Sequence, residues 1–311
     1  MDPKELNLVS LSRLYSDEDA ARDFLESRLW PNGPVCPHCG HDEAYALTAK
    51  PGSRNPVPKG VYKCKKCRKK FTVRVGTIFE DSKLPISKWL MAFHLLTSSK
   101  KGISSLQIAR ELGITHKSAW FMTHRIREAM RTENPPKPTK GIVEMDESYV
   151  GGKPRKFGNK RGRGTKKTPV VVLIKRGGNA NAAVVNNVTS KTLRAHAMKH
   201  GHPDSILMTD EFSSYGPVGK EFSGHGVVAH GFGEYARGIS HVNTAESFFA
   251  LLKRGHYGQF HQLSKQHLHR YVDEFEFRWN HRKTSDGSRM LAAIDGVEGK
   301  RLMYRQPRQT A

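Results

Sequence analysis

His241-Val242-Asn243-Thr244-Ala245-Glu246-Ser247-Phe248-Phe249-Ala250-Leu251-Leu252-Lys253 carries its apolar residues at helical spacing, and Thr244 stands where a helix cap belongs. Offsets of three and seven put Asn243, Glu246 and Lys253 on one polar face, above an apolar face that must pack on something. On its own such a face reads as solvated surface. Two aspartates upstream change that weight. Asp146 lies inside the apolar strand pattern Gly141 to Val150, and Asp210 ends the one from Ser205 to Thr209. A carboxylate within an apolar strand is costly unless it is paired or binds metal.

Around these residues strand and helix alternate. Further strands are expected at Pro169 to Lys175, Ala182 to Val188 and Val227 to His230, with helices at Lys191 to Lys199 and from about Lys265 to Asn280. Three strands in meander followed by helix–strand alternation imply a mixed α/β sheet with helices on its faces. Three carboxylates without sulfur or a matched histidine set favour magnesium or manganese. Two such ions can activate a water or sugar hydroxyl and stabilise the leaving oxygen at phosphorus. On that reading Asp146 bridges both ions, Asp210 holds one and Glu246 the other, and Lys253 reaches DNA near the scissile phosphate. Spacing alone leaves ordinary surface acids as an equal alternative.

The chain has 311 residues, with 52 Lys and Arg against 29 acids, a formal charge of +23. Such a charge repels itself unless the partner is a polyanion, which points to nucleic acid. Apolar runs no longer than that from Val170 to Ile174 are too short to span a bilayer, and no signal-peptide layout opens the chain. A cytosolic protein without membrane contact is expected. Its cysteines form two pairs, Cys36-Pro37-His38-Cys39 and Cys64-Lys65-Lys66-Cys67, which in a reducing compartment make a four-thiolate structural zinc site. Lys63, Lys65, Lys66, Arg68, Lys69 and Lys70 crowd the second pair, as a solvated face or a phosphate contact.

Residues 1 to 30 read as helical, capped near Ser16-Asp17-Glu18-Asp19 and striped by Ala21, Phe24, Leu25 and Leu29. A helix from Pro85 carries Trp89, Leu90, Phe93 and Leu96. After it, Ser104 with Gln107 fits a capping box, Gly113 a turn, and Thr115 the start of a helix to about Met130. This is a helix-turn-helix outline whose second helix is expected to expose His116, Lys117, Ser118, His124, Arg125 and Arg127 to DNA. A plain helical bundle is the alternative. Arg131 to Pro138 is a proline-rich linker, and Gly151 to Lys167, which includes Lys153, Arg155, Lys160, Arg161 and Arg163, reads as a DNA backbone clamp or a disordered loop.

Several of these motifs have a recognisable combination. They are Cys36-Pro37-His38-Cys39-Gly40; Lys63 to Cys67 followed by Phe71 and Gly76-Thr77-Ile78-Phe79; and Val143-Glu144-Met145-Asp146-Glu147-Ser148-Tyr149-Val150-Gly151-Gly152-Lys153. Downstream stand Thr209-Asp210-Glu211 with Tyr215, Asn243 to Ser247 with Lys253-Arg254-Gly255, Gly258 to His261, and Glu274 to Arg282. Over nearly its full length the chain thus resembles the zinc-ribbon-bearing DDE transposases of bacterial insertion sequences. The resemblance implies a ribonuclease H-like catalytic domain with Asp146, Asp210 and Glu246 as catalytic acids. It implies hydrolysis at each element end, attack of the freed 3′ hydroxyl on target DNA, and a homo-oligomer holding the terminal inverted repeats in the nucleoid. His230, His241 and Asn243 lie close enough in sequence to be helpers of the site, with a satisfied histidine at a strand end as the other reading of His230; Arg254 would be a DNA contact, and His261, Arg278, Asn280 and Arg282 structural or DNA-contacting.

The expected organisation is a helical segment at 1–33, a zinc ribbon at 34–80, a helix-turn-helix at 81–131, a linker at 132–140, the catalytic domain at 141–290 and a tail at 291–311. The competing functions are a non-catalytic DNA-binding regulator and a structure-specific nuclease or junction resolvase on the same fold.

Overall fold

The computed structural model describes residues 6–48, 52, 56–132, 138–151, 167–228 and 241–304. The chain divides into two compact units, Met1–Met130 with Thr284–Ala311, and Arg131–Lys283.

The first unit opens with helices α1 (Leu8–Tyr15) and α2 (Glu18–Leu29). Asp17 caps α2 by accepting from the Asp19 amide, and Ala21 and Leu25 of the expected stripe are buried. Three short antiparallel strands follow, β1 (Ala44–Ala46), β2 (Tyr62–Cys64) and β3 (Lys70–Phe71), in the order β1-β2-β3. Helix α3 (Ile86–Ser98) buries Trp89, Leu90, Phe93 and Leu96, each at most 2% exposed, and so reads apolar on nearly all sides. Its first turn has no local side-chain cap. Glu18 of α2 supplies one instead, accepting from the Ile86 and Ser87 amides at 2.7 and 3.0 Å.

Helices α4 (Ser105–Leu112) and α5 (His116–Met130) meet at Gly113, whose φ of +58° is the left-handed conformation that glycine adopts without a Cβ penalty. Ser104 accepts from the Gln107 amide as expected. The reciprocal half of a capping box is absent, because the Gln107 side chain donates to Glu111 instead. The unit closes with helix α10 (Asp286–Asp295), which packs on α3 through an apolar stripe that includes Met290, Leu291 and Ile294. The chain therefore returns to the first unit after Lys283, where the sequence had suggested a boundary at 290 and a tail.

The second unit is a five-stranded sheet in the order β6-β5-β4-β7-β8. Strands β4 (Ile142–Val150), β5 (Thr168–Lys175) and β6 (Ala180–Val184) form an antiparallel meander. Strands β7 (Ile206–Asp210) and β8 (Gly224–Val228) continue it in parallel beyond helix α6 (Ser190–His200), with the short helix α7 (Tyr215–Gly219) between them. This is the expected mixed sheet of ribonuclease H-like form. On one face Val143, Met145, Val171, Leu173 and Leu207 pack with Leu193 and Ala197 of α6 and with Tyr215 and Val218 of α7. On the other, Val150, Val170, Val172 and Ile174 pack under helices α8 (Asn243–Gly255) and α9 (Leu268–Asn280). A five-residue π-helical segment, His256–Phe260, follows α8.

Strand β6 lies at one edge of the sheet, and α9 dresses that edge. Glu276 accepts from the Ala182 amide, and the Asn280 side chain pairs with both the N–H and the C=O of Ala180. Arg278 is buried against Glu274 at 2.6 Å, while Arg282 donates to the Trp279 and Gly178 carbonyls. Arg278, Asn280 and Arg282 thus each have a structural partner. No helix among the described residues is long and apolar enough to cross a membrane.

Candidate functional site

Parallel register brings two of the expected acids together. Strand β4 pairs with β7 as Ile142 with Ile206, Val143 with Leu207 and Glu144 with Met208. Two residues further along each strand stand Asp146 and Asp210, level with one another on neighbouring strands spaced ~4.8 Å apart. Side chains alternate along a strand, so Asp146 shares a face with Glu144 and Val150, the face covered by α8. Glu246 comes from the first turn of that helix and is exposed.

Asp146 registers this crowding. Burial, followed by the neighbouring charges of Glu147 and Asp210 and, more weakly, Glu246, pushes its carboxyl up to about 8, against the Glu147 amide that donates to its Oδ1 at 2.8 Å. Asp210 accepts from the Phe212 amide at 3.1 Å. The acids do not meet as tightly as ligands of one bound ion. Among the described residues, only the four cysteines form a set of three or more metal-ligating atoms within 4.8 Å of one another. Carboxylates repel one another at shorter range unless a cation offsets their charge. The donor set, all oxygen and anionic, is of the kind hard divalent ions take.

Helix α8 is held to β4 by a residue the sequence reading passed over. Thr244 was expected to cap the helix, but the helix begins at Asn243 and has no side-chain cap of its own. Glu144, fully buried on β4, fills that position. Its Oε2 accepts from the Thr244 and Ala245 amides at 2.7 and 3.1 Å, and its Oε1 from the Thr244 hydroxyl at 2.9 Å. The carboxylate faces Arg176, whose Nε donates at 2.6 Å, and the His241 ring, with Nδ1 at 3.3 Å. The signal was available: Glu144 lies two residues before Asp146, on the same strand face. Beneath α8 the buried Ala245, Phe248, Phe249 and Leu252 hold the helix down; burying a Phe or Leu side chain stabilises by about 1.5–3 kcal/mol. Lys253 and Arg254 are exposed near its end, Arg254 donating to the Ala250 carbonyl.

The cysteine cluster matches its expectation. Cys36 and Cys67 Sγ lie 3.6 Å apart, and those of Cys39 and Cys64 3.7 Å. A tetrahedron of sulfurs each ~2.3 Å from zinc has edges of about 3.8 Å, so the shell fits structural zinc. Burial opposes the Cys64 thiolate, but the Cys67 and Lys66 amides, together with the Cys39 and Cys67 sulfurs, outweigh it and bring the thiol down to about 6. Trp30, Tyr62 and Phe71 pack around the knuckles, with Trp30 edge-on to both rings at 5.5 and 5.8 Å. Lys65, Lys66, Arg68, Lys69 and Lys70 are exposed.

On α5 the expectation of a basic exposed face is corrected. His116 and Lys117 are exposed, and Ser118 is half-buried with its amide donating to Thr115 Oγ1. His124, Arg125 and Arg127 are buried. Arg125 points inward and donates to the Ile78, Glu80 and Leu302 carbonyls, because the second half of α5, from Met122 to Arg127, is buried on every side and not along one face only. It is not a surface DNA contact. Lys153, Arg155, Lys160, Arg161 and Arg163, with His230, lie outside the described residues.

The ISXO2-like transposase domain family matches residues 138–280, and the transposase zinc-ribbon domain family residues 16–70. The chain is 30% identical over 286 residues to a Halobacterium salinarum protein described as an uncharacterized protein in transposable element ISH50, covering 86% of this chain and 92% of the relative. A Haemophilus influenzae protein described as an uncharacterized transposase-like protein is 33% identical over 97 residues, covering 31% of this chain and 77% of the relative. Among solved structures, the Mos1 transposase paired-end complex with left transposon end is 14% identical, with 70% of this chain and 81% of that chain covered and a TM-score of 0.27. At that score the likeness carries no argument, and the fold rests on its strand order. The match to the Halobacterium protein, extending over most of both chains, decides the family: this protein belongs to the insertion-sequence transposases in which an ISXO2-like transposase domain follows a zinc ribbon.

Proposed function

We propose that the protein is a DNA transposase that cleaves the phosphodiester at each end of an insertion sequence and joins the freed 3′ hydroxyls to target DNA. The observation that carries this reading is the β4–β7 register, which sets Asp146 and Asp210 side by side under the helix bearing Glu246. Asp146, Asp210 and Glu246 would hold magnesium or manganese. Such ions, when bound, supply an activated water or hydroxyl and charge stabilisation at the leaving oxygen.

The rest of the site belongs to the chain's own groups. Lys253, two turns along α8 from Glu246, is suited to a phosphate flanking the scissile bond, with Arg254 beside it. The exposed lysines of the ribbon and Lys117 at the start of α5 are suited to the DNA backbone, and α4 with α5 to a helix-turn-helix role. Holding two ends at once calls for a homo-oligomer.

The test is cleavage and strand transfer on a duplex carrying the element's terminal repeats, with magnesium or manganese, by the native protein and by Asp146→Asn. Activity lost in the variant while DNA binding survives supports the enzyme. Binding without cleavage by either protein supports a regulator instead. Cleavage without strand transfer or end preference supports a structure-specific nuclease.

A further inference from the structure

Four donors fill the acceptor sites of the buried Glu144 carboxylate, and the His241 ring stands against it. Every donor to it comes from the edge of the acidic site or from the segment leading into it: two amides and a hydroxyl of the first turn of α8, and the Arg176 guanidinium just past the end of β5. Arg176 also donates through Nη2 to the His241 carbonyl at 2.8 Å, so the chain entering α8 is tied to the same carboxylate by a second route. Three facts make the arrangement specific to the site. Glu144 and Asp146 are two residues apart on one face of one strand. Glu246 lies within the turn whose amides Glu144 binds. A negative charge at a helix N-terminus is favourable, so the cap holds by charge as well as by hydrogen bonds.

We infer that Glu144 is a positioning residue: by capping α8 from the neighbouring strand, it fixes the distance and angle of Glu246 relative to Asp146 and Asp210. The inference rests on the proposed transposase site. Glu144 itself has no spare reach toward substrate, because its oxygens are occupied by Arg176, Thr244 and Ala245 and it is fully buried. Its effect passes through Glu246. Glutamine at position 144 keeps the shape and one acceptor, but it removes the charge that Arg176 and the helix terminus face, and it sets an NH2 group against donors.

The test compares the full-length zinc-loaded protein with Glu144→Gln, using manganese as the probe and a duplex carrying the element's terminal repeat. Three quantities are read: the Kd for Mn2+ from its electron paramagnetic resonance signal, the Kd for the duplex, and the cleavage rate at saturating duplex. Partners that orient metal ligands are typically worth about 10–100-fold in affinity or activity. The expected result is an Mn2+ Kd weakened about tenfold and a cleavage rate lowered by a similar factor or more, with the duplex Kd unchanged. An Mn2+ Kd and a cleavage rate both within about twofold of the native protein, a small fraction of that range, would overturn the inference.

If the native protein cleaves nothing, the transposase reading fails, while the Mn2+ Kd still decides the role of Glu144: weakened supports it, unchanged overturns it. If Glu144→Gln does not fold, Thr244→Val removes a single donor to the carboxylate. It is expected to weaken Mn2+ about threefold, as the loss of one ordinary hydrogen bond would; an unchanged Kd there overturns the inference.

Discussion

Tyr215, at the start of α7, donates its phenolic hydrogen to Glu147 Oε2 across 2.7 Å while remaining fully buried. Glu147 adjoins Asp146 and, after burial, does most among the neighbouring charges to raise its pKa. The ring is also part of the core beneath the sheet, so Tyr215 joins the packing of that face to the acidic site. Tyr215→Phe keeps the ring and removes one hydrogen bond to a charged group, a loss of about 1.5–3 kcal/mol. Urea unfolding at pH 7 checks this; an unchanged midpoint would show that Glu147 takes a replacement donor at no cost.

The ribbon is expected to depend on its metal. Chelating the ion, or replacing Cys64 by Ser, leaves a three-stranded sheet with little apolar core beyond Trp30, Tyr62 and Phe71, and small metal-held folds commonly unfold without their ion. Trp30 fluorescence should shift to the red on chelation, and released zinc should amount to about one ion per chain, as a single four-thiolate site requires. A spectrum that does not respond to the chelator would count against a structural metal.

Two basic residues eight positions apart on α5 should behave oppositely. Arg125→Ala strands the carbonyls of Ile78, Glu80 and Leu302 and is expected to cost about 3 kcal/mol or more of stability. Lys117→Ala removes only an exposed contact, its ammonium 4.9 Å from the centre of the Tyr304 ring, and should cost no more than about 1 kcal/mol. If Lys117 meets a phosphate, it should lower the slope of log affinity against log salt by about 1. Thermal unfolding and fluorescence anisotropy across a salt series separate the two.

Acid stability should follow buried groups on the sheet faces. Burial, with Lys199 nearby, lowers His200 to about 4, and burial with His200 does the same to His196, whose Nε2 faces the Asn181 carbonyl. Between pH 6.5 and 4 the unfolded chain binds more protons at these histidines than the folded one, so their contribution is lost as pH falls through that window. Glu276 acts the other way: burial raises it to about 7, and between pH 7 and 4.5 the folded state gains stability as pH falls. Urea midpoints at pH 7 and pH 5 should therefore fall more for Glu276→Gln than for the native protein, and less for His200→Gln. Parallel losses in all three would contradict these assignments.

Much of this architecture was legible because strands and helices declare themselves by period. The strand around Asp146, the one ending at Asp210 and the helix carrying Glu246 lie within a few residues of their expected bounds. The cysteine pairs were legible from spacing alone. What escaped was long-range. The caps of α3 and α8 come from Glu18 and Glu144, 68 and 100 residues away; Glu144 is visible as a second acid in an apolar strand, but no local pattern names the helix that it caps. Arg125 misled because arginine is ordinarily exposed, and three distant carbonyls decide otherwise. Helix α10 was read as part of the second domain and its tail because its partner, α3, lies nearly two hundred residues upstream.

On the proposed function, Asp146, Asp210 and Glu246 serve one divalent-metal site. Anomalous diffraction from crystals of the full-length protein grown with manganese and end DNA shows whether they do. Manganese density with ligands from all three side chains is expected, lost in Asp146→Asn crystals grown under the same conditions. Manganese bound elsewhere, with Asp146 or Glu246 turned away from it, would rule that site out.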